Sequence, residues 1–490
     1  MNHIKIDLER ILGNVDRNIF GTFAEPVGRV VYGGIYEPDS ALADEDGLRS
    51  DLLAAVRRLN IPILRYPGGN FVSGYRWMDG IGPQQERPSR HELAWHAIES
   101  NQFGTNEFIK FCRKLKIKPY ICTNCGDGDM REAADWVEYC NGTGDTALVK
   151  LRREHGFEEP HKVKYWGIGN EVDGAFQIGY KTPQEYARAV TEFGKVMKRV
   201  DPDIKLVASA ACQWQGTRWK SAKVEVVERG QLMLEQAGDR IDYMALHCYV
   251  HNPENDFNKY MTLSELFEER LSAYEGLIRA VSLDRGIKHP IYITVDEWNV
   301  WKHLPRIDWF QNLEDALVIA MNLNAFIRHA YSVKMANISQ IVNRRSPILT
   351  RGDSLLMQTI FYPFELYSRT CGQQALDVFW NGETFSGGEY TGVRTLDVTA
   401  TLDESRKQLV VYVVNRSQTE AMETTISLAD GQFAGNAQIS VVNGPDILAE
   451  NTFEKPNEVG TGETALEASG KSFTYSFEPH SVTALVCAIS

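Results

Sequence analysis

Through the first 345 residues, apolar positions gather into short β-rich runs, each followed by a loop and then by a longer segment in which apolar residues recur every three or four positions. Eight such runs stand out: IFGTFAEP (19–26), IPILRYPGG (61–69), KPYICTNCG (118–126), VKYWGIGNE (163–171), IKLVASA (204–210), IDYMALHCY (241–249), IYITVDEWN (291–299) and ANISQIVN (336–343). Between them lie helical segments such as LRSDLLAAVRRLN, FGTNEFIKFCRKLK and TPQEYARAVTEFGKVMKRV. The last of these predicts its own start. The Thr182 hydroxyl can accept from the first free N–H groups, Pro183 suits the first helical position and Glu185 completes a capping box. Tyr186, Val190, Phe193 and Met197 then mark one apolar face. Strand and helix alternating eight times predicts parallel strands closed into a (β/α)8 barrel, because parallel neighbours need helical crossovers and closure leaves no edge. An open doubly wound sheet is the competing arrangement. It usually carries a glycine-rich phosphate turn after its first strand, and FAEPVGRVVYGG does not match that pattern.

Beyond about residue 365 the texture changes. VRTLDVTATL, KQLVVYVVN, METTISL, AQISVVN and SFTYSFEPHSVTALVCAI are short runs separated by Gly, Asn, Asp and Ser, with no helix-length segment. They predict an antiparallel, jelly-roll-like β-sandwich. HIKIDLERIL at the amino end alternates in the same way and is expected to add a strand to it. The expected division is therefore an N-terminal strand over 1–13, a barrel over 14–362 and a sandwich over 363–490. The stretch 450–470, ENTFEKPNEVGTGETALEASG, reads as a polar loop.

With 43% hydrophobic and 10% aromatic residues the chain can bury a large core. A formal charge of -13, with no run of Lys or Arg, repels phosphate backbones and anionic lipid, so nucleic acid and membrane surfaces are poor partners. The start lacks the apolar core and cleavage site of a secretory signal, and no apolar stretch approaches the roughly 20 residues of a membrane span. A soluble, cytoplasmic protein is expected. Eight scattered cysteines fit a reducing compartment, and Cys122 with Cys125, lacking a second CxxC at finger spacing, read as ordinary thiols. RGD at 351–353 reads as chance.

Reactive groups of such barrels stand at the carboxyl ends of the strands. Glu171 closes the fourth run and Glu297 the seventh, so two carboxylates from remote parts of the chain are placed to face each other across a bound molecule. Trp298 and Trp301 could serve as flat platforms beside them, with Asn170, Asn299, His247 and Tyr249 as hydroxyl partners. The chemistry this suggests is glycoside hydrolysis by a carboxyl pair. One member must keep its proton near neutral pH while the other stays ionised. Arg65, at the end of the second run, would hold Glu297 ionised if the two lie close, although alone it also fits a structural ion pair. Carboxyl groups about 5–5.5 Å apart give retention and about 6.5–9.5 Å inversion, a gap that spacing does not fix. An isolated Glu after a strand is usually a cap or a solvated loop residue, and Glu25 at the end of the first run reads equally well that way. His247 and His251 follow a strand, so the helical geometry of a zinc pair does not apply. A non-catalytic carbohydrate-binding protein on the same barrel would be expected to have lost Glu171, Glu297 or Arg65, and all three are present.

Taken together, FGTFAEPVGRVVYGGIYEP, ILRYPGGNFVSGYRW, FGTNEFIKFC, YWGIGNE and DEWNVW resemble the α-L-arabinofuranosidases of glycoside hydrolase family 51, within the clan of retaining (β/α)8 glycosidases. The resemblance implies Glu171, preceded by Asn170, as acid/base and Glu297 as nucleophile. It implies that Glu25, Asn70, Tyr249 and Gln340 grip the furanose hydroxyls, that Arg65 and Tyr249 orient the nucleophile, and that Asn170 contacts the 2-hydroxyl. Trp301 would wall the subsite, His247 support the end of strand six and Trp95 meet the aglycone. It further implies exo action on terminal arabinofuranosyl units of arabinan or arabinoxylan oligosaccharides, no metal or cofactor, and a homo-oligomer, often a hexamer. Where the family tail resembles AQLVNVIAPIMT, this chain reads SQIVNRRSPILT. Arg344 and Arg345 could recognise extra hydroxyls or a carboxylate, but pairing with acidic surface residues is the favoured expectation. A galactofuranosidase, or an endo-acting β-glucanase or xylanase of the same clan, is the rival within enzymes.

Overall fold

The computed structural model describes residues 2–212, 225–301 and 310–490. Strands Gly21–Phe23, Ile63–Tyr66, Lys118–Thr123, Tyr165–Ile168, Lys205–Ala211, Tyr243–Val250, Tyr292–Val300 and Val333–Ser339 pair in that order and close, the last onto the first, into a parallel barrel. These are the eight apolar runs. The runs outlast the ladders at their carboxyl ends, where PGG after Tyr66 and GNE after Ile168 leave the barrel as loops.

Helix Pro183–Val200 shows how the surrounding ring is specified. Thr182 and Glu185 form the reciprocal capping box, Pro183 occupies the first turn, and Tyr186, Val190, Phe193 and Met197 are buried against the barrel. Near the amino ends of the strands, Ile63, Tyr120, Tyr165, Val207, Tyr243 and Met335 fill the barrel interior. The single-turn helix Arg17–Phe20 lies beneath them, where Asn18 donates to the Tyr165 hydroxyl at 3.2 Å. The lower barrel is thus packed shut, and charged side chains collect at the other end.

The C-terminal sheet has nine strands, with Asn2–Asn14 inserted between Gln374–Asn381 and Met422–Leu428. The sheet rolls on itself. Phe433 and Phe473, from strands near its opposite edges, meet with ring centroids 4.8 Å apart and enclose a core containing Ile4, Val398, Val411 and Leu485. Pairing is antiparallel with one exception: Asn2–Asn14 runs parallel to Met422–Leu428. The polar-loop expectation for 450–470 fails in its second half. Gly460–Gly470 is an edge strand in continuous register with Phe433–Asn443, mostly exposed, so backbone pairing rather than side-chain burial holds it.

Barrel and sheet share a core. Leu313–Arg328 is buried on every side from Leu313 to Ile327, with the barrel on one flank and the sheet on the other. Tyr367 stacks on Tyr412 at 4.0 Å, and Arg328 pairs with Asp397 of the sheet at 2.7 Å. The sheet side also caps the helix, since Leu313 and Glu314 donate their N–H groups to the carbonyls of Ala449 and Ile447. No helix among the described residues is long and apolar enough to cross a membrane.

Candidate active site

Strand seven carries a bulge where the site is built. Val295 pairs with Leu246 and Glu297 with His247, so Asp296 has no opposite residue, and the register shifts on the strand-eight side as well. A regular strand would send Asp296 and Glu297 to opposite faces. Here both meet Arg65 inside the barrel. Arg65 donates from Nη1 to Glu297 Oε1 at 2.8 Å and from Nη2 to Asn170 Oδ1 at 2.7 Å, while its Nε lies 3.1 Å from Asp296 Oδ2. Asp296 also accepts from the Tyr120 hydroxyl and from Asn337. Residue Arg65 is 1% exposed, so this cation is compensated entirely by its neighbours.

Glu171 stands on a left-handed backbone, φ 45°, directly after Gly169 and Asn170. That conformation is costly for a residue with a Cβ, and here it turns the side chain back over the barrel mouth. Its Oε1 lies 2.9 Å from His247 Nδ1, and the same nitrogen lies 3.6 Å from Glu297 Oε2, which accepts from the Tyr249 hydroxyl at 2.8 Å. One oxygen of each glutamate and a ring nitrogen of His247 lie within 4.8 Å of one another. Three such donors could grip a divalent cation, but each is already engaged with a neighbour in a pocket that also holds the Arg65 guanidinium.

The two glutamates are pushed apart electrostatically. Burial raises the Glu171 carboxyl above the ordinary carboxylate range, and the charge of Glu297 adds to this against the lowering bond from His247. Burial would raise Glu297 too, but the charges of His247 and Arg65 and the hydrogen bonds from Arg65 and Tyr249 outweigh it and hold it low. His247 is held well up: burial opposes its imidazolium, but Cys212, Glu297 and Glu171 around it prevail.

Glu25 closes another side of the mouth. Its oxygens accept from the Trp95 indole at 2.8 Å, Phe71 N at 3.1 Å and Gln340 Nε2 at 3.1 Å, while Gln340 Oε1 accepts from Glu25 N. Burial, then the Glu297 charge, pushes its carboxyl up to about 7. Glycine is required at 69, where φ is +59° and a Cβ would sit 2.0 Å from the Glu25 carboxyl carbon. Asn70 lies beside this turn, 3.4 Å from Asn170 Nδ2. Trp301 stands edge-on to Tyr249 at 5.5 Å. Glu25, Arg65, Asn70, Trp95, Asn170, Glu171, His247, Tyr249, Glu297, Trp301 and Gln340 are thus joined by a continuous set of contacts.

Three expectations need correction. Trp298 is not a platform: it is 0% exposed and packs edge-on to Phe326 of the helix Leu313–Arg328, because the residue after an inward Glu297 faces outward. Asn299 faces inward but is also fully buried, its amide donating to the carbonyls of Ser339 and Arg345, so it ties strand seven to the strand-eight loop. Arg344 and Arg345, expected at the surface, stand instead on the aromatic walls of the mouth, Arg344 4.5 Å over Trp95 and Arg345 3.6 Å over Trp301. His251 lines a cavity of about 390 Å³ with Trp301, Asn312 and Glu314. All eight cysteines are free; Cys122, in the CxxC, is a buried thiol donating to Gly169 O at 3.1 Å beside Arg65.

Sequence reasoning missed Asp296 and Cys212. Asp296 carried one signal, since an acid inside an otherwise apolar strand must have a buried partner. Cys212 packs against Ser209 Oγ, and its N–H donates to Asp173, a contact between loops that no spacing reports.

A closed parallel barrel with two carboxyl groups at the ends of strands four and seven, close together and oppositely tuned, is the arrangement that a retaining glycosidase needs. Two family models match the chain, "Alpha-L-arabinofuranosidase 1 domain" over residues 55–267 and "Alpha-L-arabinofuranosidase C-terminal domain" over 296–481. A probable α-L-arabinofuranosidase C from Aspergillus clavatus is 37% identical across 98% of this chain and 96% of its own. An intracellular exo-α-(1→5)-L-arabinofuranosidase 1 from Bacillus subtilis is 35% identical across 97% and 96%. Among solved structures, the α-L-arabinofuranosidase of Thermotoga maritima in complex with arabinose superposes with a TM-score of 0.90 at 35% identity, covering 100% of both chains. The chain belongs to the α-L-arabinofuranosidases of glycoside hydrolase family 51.

Proposed function

We propose that this protein releases terminal non-reducing α-L-arabinofuranosyl residues from arabinan and arabinoxylan oligosaccharides by double displacement. The observation that carries the reading is the approach of one oxygen each of Glu171 and Glu297 to within 4.8 Å, with the first carboxyl pushed above and the second held below the ordinary carboxylate range. A carboxylate of Glu297 attacks C1 of the furanose as the C1–O bond breaks, and the departing oxygen takes the proton of Glu171. Glu171, now ionised, removes a proton from water, which attacks C1 and breaks the ester to Glu297. Two inversions return the original configuration.

Each surrounding residue has a task in that cycle. Arg65 and Tyr249 hold the two oxygens of Glu297, so the nucleophile is aimed and ionised before substrate arrives. Glu25, Asn70 and Gln340 grip furanose hydroxyls, Asn170 meets the 2-hydroxyl, and Trp95 and Trp301 wall the pocket. His247 positions Glu171. The catalytic unit is read as residues 14–362, with 1–13 joining the 363–490 sheet. Exo action on 1→5-linked arabinose is supported by the name of the Bacillus relative. A cytoplasmic location agrees with relatives named intracellular, and a homo-oligomer, a hexamer by family resemblance, is the expected assembly.

Turnover of 4-nitrophenyl α-L-arabinofuranoside, against the β-D-galactofuranoside and against xylan and β-glucan, tests the reading. Selective cleavage of the arabinofuranoside, with α-arabinose as the first anomer seen by proton NMR, is expected. Preference for the galactofuranoside, internal cleavage of polymer or an inverted first product would overturn it.

A further inference from the structure

The loop after strand eight presents two arginines to the mouth on an unusual backbone. Asn343, Arg344 and Arg345 are successive left-handed residues, φ 54°, 31° and 68°, none of them glycine. The strain is held by fixed hydrogen bonds: the Asn343 amide donates to Arg29 O at 2.7 Å, Asn343 Oδ1 accepts from Thr350 N at 2.9 Å, and Arg345 O accepts from Gln311 at 3.2 Å. The two guanidiniums are therefore placed rather than trailing.

Their positions differ. Arg345 is 8% exposed and wedged against Trp301 and Tyr249, part of the pocket wall. Arg344 is only half-buried, its guanidinium 4.5 Å over the Trp95 ring, whose indole N–H donates to Glu25. Trp95 is the ring that the family resemblance places against the aglycone, so Arg344 is taken to face the group leaving C1. Stacking occupies the face of a guanidinium and keeps its edge N–H donors for a planar acid. Deeper in, Arg65 is matched by Asp296 and Glu297, whereas Glu25, whose charge Arg344 feels, already accepts from Trp95, Phe71 and Gln340. A cation at this rim stands out on a chain of formal charge -13.

We propose that Arg344, supported by Trp95, selects leaving groups that carry a carboxylate, the chemistry of a uronic-acid sugar next to the arabinofuranosyl branch. This rests on the arabinofuranosidase reading above. The test compares 4-carboxybenzyl with 4-carbamoylbenzyl α-L-arabinofuranoside, whose benzylic oxygens are nearly equal as leaving groups. The wild type is expected to favour the acid by about tenfold in kcat/KM at low ionic strength, the size of one charge-assisted hydrogen bond, with the preference shrinking as salt rises. Arg344→Gln should bring the ratio to about one, and Arg344→Lys should restore part of it. A wild-type ratio near one, or a ratio unchanged in Arg344→Gln, overturns the inference; so does an equal loss on both substrates, which would mean that Arg344 only steadies Trp95 and Glu25. Turnover of the carbamoyl substrate reports the arabinofuranosidase reading separately: if that substrate is cleaved and the ratio is one, only the inference has failed, and if neither is cleaved both have.

Discussion

Arg65 Nη1 lies 2.8 Å from Glu297 Oε1, and both side chains are almost fully buried. The pair belongs to a larger balance, because Asp296 leans on the same guanidinium. Removing the cation by Arg65→Ala strips Asp296 of its ion pair and leaves Glu297 to His247 and Tyr249, a broken buried pair that costs about 3–5 kcal/mol. The variant should show a strongly lowered Tm, and the acid limb of its rate profile should move to higher pH as Glu297 loses its partner. Arg65→Lys restores charge without the fork and should recover stability more than activity. An unchanged melting temperature in Arg65→Ala would contradict the buried network.

The opposite tuning of the two glutamates fixes the sign of the pH response. Glu297 must be ionised, so kcat/KM falls as pH drops through its lowered pKa. Glu171 must carry its proton, so kcat/KM falls again as pH rises through its raised pKa. A bell-shaped profile is expected, its limbs set apart beyond the separation of two ordinary carboxyl groups. Glu171→Gln should abolish the alkaline limb on an activated aryl substrate. Persistence of that limb would assign it to another group, Glu25 first, whose carboxyl is pushed to about 7.

Loss of the proton donor should depend on the leaving group. Glu171→Ala is expected to slow oligosaccharide cleavage by about 10²–10⁴ while slowing a 2,4-dinitrophenyl arabinofuranoside far less. Azide should then accelerate turnover by attacking the glycosyl-enzyme and yield an arabinosyl azide of retained configuration. Glu297→Ala should be inactive on both substrates while melting like a folded protein. Equal slowing on both substrates with no azide effect would exclude Glu171 as the acid.

Two tryptophans three residues apart should behave differently. Trp298→Ala empties a packed site against Phe326 and should cost about 3–5 kcal/mol of stability. Trp301→Ala, at the mouth beneath Arg345, should raise KM with a smaller change in Tm. Thermal denaturation beside steady-state kinetics separates the two, and a KM defect with an unchanged Tm in Trp298→Ala would reverse the assignment.

The barrel was readable because its signals are local and redundant. Thr182, Pro183 and Glu185 announce a helix start in four residues, and the apolar face behind them repeats the message. The alternation of strand and helix then leaves closure as the simplest topology. What escaped depends on partners far along the chain. The bulge at Asp296 is set by strands six and eight, and without it the inward pair of acids in VDEWN cannot be inferred. Simple alternation would have turned Trp298 away from the pocket, had the inward direction of Glu297 been followed one residue further. Gly460–Gly470 hides in polar composition because an edge strand needs little burial. The direction of Arg344 and Arg345 follows from left-handed dihedrals that residues other than glycine rarely advertise.

The helix Leu313–Arg328 has no wet face, for its outer flank is covered by the sheet. Cutting the chain near residue 362 would strip that cover and leave an oily rod on the outside of the remaining piece, directly behind the strand that carries Glu297. Evolution can therefore not shed the carboxyl-terminal quarter as spare cargo, and calorimetry should record one melting event for the whole polypeptide, with no surviving catalytic fragment.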